Sequence, residues 1–184
     1  MKKACRNYPR FALCGLNCGL CPMYHISEDN HCTGCGGEGR PSCAVLRCAR
    51  AHGGVEYCFQ CPEYPCRQFQ ELHTYESFIA SRNVEQDFAR AKAGSLASYQ
   101  AVLDEKVELL RHLIRNYNDG RRKSFFCLAV NLLDLEDVRA VVARLDQEVG
   151  QDTPLRERAL QAAACFQELA AARGVTLKLQ KKPK

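Results

Sequence analysis

The residues best equipped for chemistry are ten cysteines between Cys14 and Cys66. Cys14, Cys18 and Cys21 form a Cys-x3-Cys-x2-Cys run that ends in Pro22. Cys32 and Cys35 bracket Thr-Gly, Cys43 and Cys48 stand singly, and Cys58, Cys61 and Cys66 close the stretch in Gly-Val-Glu-Tyr-Cys-Phe-Gln-Cys-Pro-Glu-Tyr-Pro-Cys. A Cys-x-x-Cys turn lets two thiolates meet one ion, and zinc takes four such ligands in a tetrahedron. Glycine in the turn relieves the backbone and frees N–H groups to point at sulfur. Cys32–Cys35 and Cys58–Cys61 are units of this kind. One site could therefore use Cys32, Cys35, Cys58 and Cys61, or more locally Cys32, Cys35, Cys43 and Cys48. A second would draw on Cys14, Cys18, Cys21, Cys66 and the remainder. His25, His31 and His52 could each replace a cysteine, although a surface or structural role suits each better.

Disulfides are the competing use of so many cysteines. They belong to secreted chains, which carry a signal peptide. Here Met-Lys-Lys is followed by no apolar core segment, and no run approaches the ~18 apolar residues of a membrane span. A cytoplasmic chain with reduced thiols is expected, and there a Cys-x-x-Cys array points to metal. The odd total of 13 cysteines also leaves one thiol out of any full intrachain pairing. The formal charge of +5 is a weak guide to partners. Eight thiolates around two zinc ions would bring it to about +1.

An iron–sulfur cluster is the alternative to zinc, because Cys14, Cys18 and Cys21 could hold three irons and all-cysteine ligation suits it. A radical enzyme using S-adenosylmethionine shares that spacing. It needs a large strand–helix barrel, which this sequence does not alternate to build. Leu20 also stands where such enzymes usually carry an aromatic.

Eleven cysteines precede residue 67, and only Cys127 and Cys165 follow it. That shift divides the chain into a cysteine-rich metal-knuckle lobe at 1–71 and a helical lobe at 72–184, expected to pack as one globule in a mainly α fold. In the first lobe, residues 1–13 read as a short leader. Pro22–Ile26 suggests a helical turn, Ser42 a cap for a helix to Ala51, Val55–Phe59 an extended piece, and Pro65 the first residue of a helix to His73. In the second lobe, helices are expected at Val84–Ala93, Ser95–Asn116, Arg121–Leu133 and from Asp134 to about Val149. A last helix runs from Thr153-Pro154 to Gly174. Asp134 and Asp137 resemble a capping box. Val175–Leu179 alternates like a short edge strand, and a basic tail follows.

The chain resembles the uncharacterised cysteine-rich "domain of unknown function" proteins common in anaerobic bacteria and archaea. The likeness rests on Cys-Gly-Leu-Asn-Cys-Gly-Leu-Cys-Pro-Met-Tyr (14–24), on Cys-Thr-Gly-Cys (32–35) and on the 54–66 motif. Tyr-Asn-Asp-Gly-Arg-Arg-Lys-Ser-Phe-Phe-Cys-Leu-Ala-Val-Asn-Leu-Leu (117–133) extends it. The resemblance covers most of residues 12–180 and leaves out Cys5 and the lysine-rich tail. It implies a metal site at the matching cysteines and no established activity.

Other features have plainer readings. Asn118-Asp-Gly-Arg-Arg-Lys-Ser could hold a phosphate or carboxylate at a helix start, but an ordinary turn with solvated charges explains it. Cys127 reads as a buried thiol, Cys165 likewise, and Cys5 as a spectator. His73 and His112 read as helix-surface residues. The acids Asp104-Glu105 and Glu136-Asp137 read as solvated faces or caps. Tyr57, Phe59 and Tyr64 could stack nucleic-acid bases. The lobe carrying them has only 8 Lys/Arg against 6 Asp/Glu, and two thiolate-rich zinc sites would turn it negative and repel phosphate, so a nucleic-acid partner is not expected. No P-loop, dinucleotide fingerprint or serine-nucleophile elbow is present. The expected role is a non-catalytic protein with two structural zinc ions, acting as a binding or adaptor module for a protein partner.

Overall fold

The computed structural model describes residues 6–27, 29–150 and 152–183. Among them are seven α-helices and no strand: α1 (Ala44–Ala51), α2 (Arg67–His73), α3 (Val84–Ala93), α4 (Leu96–Tyr117), α5 (Lys123–Leu132), α6 (Leu135–Glu148) and α7 (Leu155–Ala172). Single 3-10 turns at Cys18–Leu20, Pro22–His25 and Cys58–Gln60 punctuate the cysteine segment. No helix among the described residues is long and apolar enough to cross a membrane.

Helix α4 is the axis. Ser95 caps it by accepting the Ser98 N–H, as a serine before an apolar-periodic run should. Tyr99, Leu103, Val107, Leu110, Leu113 and Tyr117 recur every three or four residues and are all buried. That stripe lets α4 touch α3, α5, α6, α7 and the Cys18–Leu20 turn. Phe126, Ala129 and Val130 of α5 and Phe166 of α7 complete the core beside it.

Several local expectations change. Residues 11–13 are no loose leader: Phe11 is fully buried against Tyr57, Phe88 and Tyr99. Tyr8 and Arg10 anchor the same segment to α4, both donating to Asp104 Oδ1, at 2.7 and 2.6 Å. Cys43, one residue after Ser42, is the N-cap of α1. Val55–Phe59 gives way to the 3-10 turn, and α2 starts at Arg67 with Cys66 as its cap in place of Pro65. Asp134 precedes α6 but caps nothing with its side chain, because it takes the Arg90 guanidinium at 2.6 Å; Asp137 binds Arg173. Pro154 rather than Thr153 is the N-cap of α7. Val175–Leu179 finds no strand to pair with.

A buried polar network joins the cysteine segment to three helices. Asn17 lies between Cys14 and Cys18 and is 2% exposed. Its amide donates to Asp87 Oδ2 and Asn131 Oδ1, each at 2.9 Å, while its oxygen accepts from the Tyr99 hydroxyl at 2.9 Å. Asn83 donates to the same Asp87 oxygen, and Asn131 donates to the Ala80 carbonyl. Nearby, Lys106 is buried with its ammonium on the Leu133 carbonyl at 2.6 Å. Burial pulls Lys106 down to about 8 from 10.5, against the pull of Asp87.

Two outcomes follow. Asn17→Ala strands donors and acceptors on α3, α4 and α5, and should cost on the order of 3 kcal/mol in chemical denaturation. Lys106 binds its proton less tightly folded than unfolded, so its contribution to stability rises as pH climbs from about 8 to about 10.5. Lys106→Met should lose that rise relative to the parent when unfolding is measured at both ends of the window.

Candidate metal centre

The first group of cysteines is folded around the Cys14–Cys21 turn. Ala12 N–H binds Leu16 O, Gly15 N–H binds Ala12 O, and Gly19 N–H binds Arg10 O. Gly15 has φ +89°, and a Cβ there would sit 2.4 Å from Val84 Cγ1, so only glycine lets the turn close on α3. Cys32 N–H returns to Met23 O and Cys35 N–H to Pro9 O, bringing the Cys32–Cys35 knuckle beside the turn. Cys18 is then within electrostatic reach of Cys14, Cys21, Cys32 and Cys35.

Burial pushes the Cys14 thiol up to about 12 and raises Cys18 and Cys21 as well. Donors aimed at sulfur work the other way. The backbone N–H groups of Met23 and Tyr24 favour the Cys21 thiolate, and that of Leu16 favours Cys14. Arg40 Nη1 lies 2.7 Å from Cys32 Sγ, and Arg6 Nη1 lies 3.4 Å from Cys35 Sγ. Half-buried thiols ringed by N–H donors and guanidinium groups suit ligands that must carry charge.

The second group assembles from three elements. α1 delivers Cys48, the 3-10 turn delivers Cys58 and Cys61, and Cys66 caps α2. Gln60 Oε1 accepts the N–H groups of Glu56 and Tyr57, which tightens the turn, and Cys58 N–H binds Leu13 O. Cys48, Cys58, Cys61 and Cys66 line one cavity of about 30 Å³, closed by Leu13, Val45 and Phe69. That is roughly the space of one water molecule. His52 stands at its edge, with Nδ1 3.6 Å from Cys48 Sγ and Nε2 3.2 Å from Glu63. Burial pushes Cys58 up to about 12.

Neither quartet expected for Cys32 and Cys35 is assembled. Cys48 lies with Cys58 and Cys61, and Cys66 joins them instead of Cys14, Cys18 and Cys21. Cys43 is exposed at the start of α1, its sulfur accepting from Leu46 N–H, within electrostatic reach of Cys14. Among the described residues, no three His, Cys, Asp or Glu side chains are close-set enough to hold an ion as they stand. The donor chemistry fits a thiophilic metal, and the thiols would have to turn inward to meet it.

The remaining candidates have other duties. His25 Nε2 is 2.7 Å from Gly19 O, and His31 Nδ1 is 3.1 Å from Ser27 O. His73 is half-buried rather than on the surface, with Nε2 on Cys14 O at 3.0 Å; His112 meets Asp146. Cys127 is buried, and burial pushes it up to about 12. Cys165 is half-buried and Cys5 lies outside the described residues. The 118–124 stretch is a turn in which Asn118 and Asp119 hold Arg122. Tyr57 is buried, and Phe59 and Tyr64 pack on Phe88, so these rings serve the core. Sequence reasoning passed over Asn17, Arg6 and Arg40. Of these, Asn17 alone carried a signal, its place inside the first cysteine motif.

Residues 10–71 match a family model described as "Protein of unknown function (DUF3795)". The match falls on the cysteine-rich segment. The match takes in both cysteine groups and ends within α2, so the likeness read at 117–133 lies beyond it. No curated protein and no solved structure matches this chain.

Gly34 tests the first group. It has φ +86°, and a Cβ would sit 2.4 Å from Pro9 O, the acceptor of Cys35 N–H. Gly34→Ala should cost about 1–3 kcal/mol. In native-state alkylation read by mass spectrometry it should speed modification of Cys32 and Cys35, while core Cys127 stays protected.

Proposed function

We propose that residues 10–71 form a zinc-stabilised domain with two separate sites, acting as a binding or adaptor module. The observation that carries this reading is the cavity lined by Cys48, Cys58, Cys61 and Cys66. Four sulfurs are the full complement of a structural zinc and leave no open position for a substrate. The second ion would be held by the two knuckles that face each other in the first group, Cys18 with Cys21 and Cys32 with Cys35. Arg6 and Arg40 would offset part of the charge of that site. His52, bonded to Glu63, would steady Cys48 from the edge of the cavity.

A second reading is an iron–sulfur cluster at Cys14, Cys18 and Cys21. It is favoured by the gathering of five thiols in the first group while His25 and His73 are turned to backbone carbonyls.

Metal analysis with a visible spectrum, on protein purified without oxygen, separates the two. Zinc at about two per chain with no colour is expected. Cys61→Ser should lower it to about one, and chelation should unfold the cysteine segment, because binding free energy is folding free energy there. Iron with sulfide and absorption near 400 nm would replace the zinc reading with the second. Unchanged circular dichroism and melting after verified metal removal would refute a structural role.

A further inference from the structure

A wide cavity separate from the one lined by Cys48, Cys58, Cys61 and Cys66 opens beside the Cys18–Leu20 turn, between four segments. The Cys18–His25 turns, residues 77–80, the start of α5 and the chain from Leu177 to Lys181 enclose about 1010 Å³. That is the upper end of the range of small-molecule sites, ~300–1,000 Å³. Leu20, Phe125 and Leu177 make an apolar interior, and Met23, Ile26 and Phe78 are exposed at its edge, Phe78 by 64%. Clustered exposed apolar side chains of this size mark a binding surface rather than scatter.

The polar groups around this interior are of one sign. Lys123, Lys178 and Lys181 line the cavity, and none of its described lining residues is an acid. Among the described residues Lys123 meets a neutral acceptor, the His25 carbonyl at 3.1 Å. The nearest buried carboxylate is committed elsewhere: Glu76 accepts from Ser81 N–H, Arg82 and Gln180 N–H, the last at 2.7 Å. With Glu76 N–H on Gln180 O at 2.9 Å and Arg82 on Thr176 O, this clamp holds the lysine-bearing segment as one wall. Lys123 and Ser124 also belong to the 118–124 stretch, whose cations suggested an anion site in the sequence. The turn consumes Arg122, whereas these two residues face the cavity.

We infer that this cavity binds a free single-chain acyl anion, with the chain among Leu20, Phe78, Phe125 and Leu177 and the carboxylate at the lysines. An apolar interior removes the chain from water, while a cationic edge with no acid among its described residues selects the head group. The inference does not rest on the zinc reading, although Leu20, Pro22, Met23 and Ile26 of the cysteine segment form one wall.

Titration calorimetry on the full metal-loaded chain would compare decanoate, decanol and decyltrimethylammonium below their micellar concentrations. Decanoate should bind one per chain, about tenfold or more tighter than decanol, as a charge-assisted hydrogen bond allows. The ammonium compound should bind most weakly. Lys123→Gln with Lys178→Gln should bring decanoate down to the decanol level and leave decanol unchanged. Phe78→Asp, at an exposed position that does not threaten the core, should weaken both chains severalfold. Equal affinity for the three head groups, no saturable binding, or indifference to these substitutions in a folded protein would overturn the proposal. Retention on phosphatidylglycerol vesicles without binding of free decanoate would also overturn it, by assigning the surface to a membrane.

Discussion

The arrangement of this protein hangs on one buried amide. Asn17 has no water to turn to, so its donors and acceptor must be met by protein. They are met by Asp87 on α3, Tyr99 on α4 and Asn131 on α5, all beneath the surface. Rotating the amide would set its oxygen against the Asp87 carboxylate, so the hydrogen bonds fix its orientation as well as its place. Cys14 and Cys18 flank it within a tight turn, and their sulfurs inherit that position. Helices α3, α4 and α5 thus serve as a template for the first cysteine group, although they contribute none of its thiols.

The second group depends on a different force. α1 has eight residues, too short to hold itself helical in water. Its partner segments are pinned by apolar contact: Tyr57 is buried against Phe11, and Phe59 and Tyr64 meet Phe88 edge-on. These rings place Cys58 and Cys61 firmly, and Cys48 comes to them on the weaker element. On the zinc reading the ion completes what packing begins. That division explains why the sulfurs surround a cavity without converging on a point.

The helices were legible because their information is periodic and local. Val84–Ala93 is found where it was expected, and α4 to α7 start and stop within two residues of their signals. Errors arose where a residue had two possible partners. Asp134 resembles a cap until Arg90, 44 residues away, takes its carboxylate. Val175–Leu179 has a strand's alternation but no neighbouring strand among the described residues; Arg82 takes its Thr176 carbonyl, and Glu76 binds Gln180 just beyond it. Residues 8–13 are too few to show periodicity, yet Phe11 sits at the centre of an aromatic cluster. The ten cysteines were equally plain by type, while their division into groups depends on how α1 folds back. Its direction carries Cys48 to Cys58 and leaves Cys43 exposed at the opposite end.

Charge follows the same separation. On the helices, ion pairs such as Arg144 with Glu148 or Arg67 with Glu71 stand in water and add little stability. Around the first cysteine group the cations face sulfur. Arg6 lies 4.7 Å over the Tyr57 ring, with Nη1 shared between Phe11 O and Cys35 Sγ. A guanidinium held on a ring face and a carbonyl cannot swing away to water without losing both contacts, so its charge stays beside the thiol. A neutral thiol gains little from such a neighbour. The contact becomes worthwhile once the sulfur is ionised, the form in which cysteine binds a metal. The arginine contacts on Cys32 and Cys35 thus hold positive charge at both sulfurs of that knuckle.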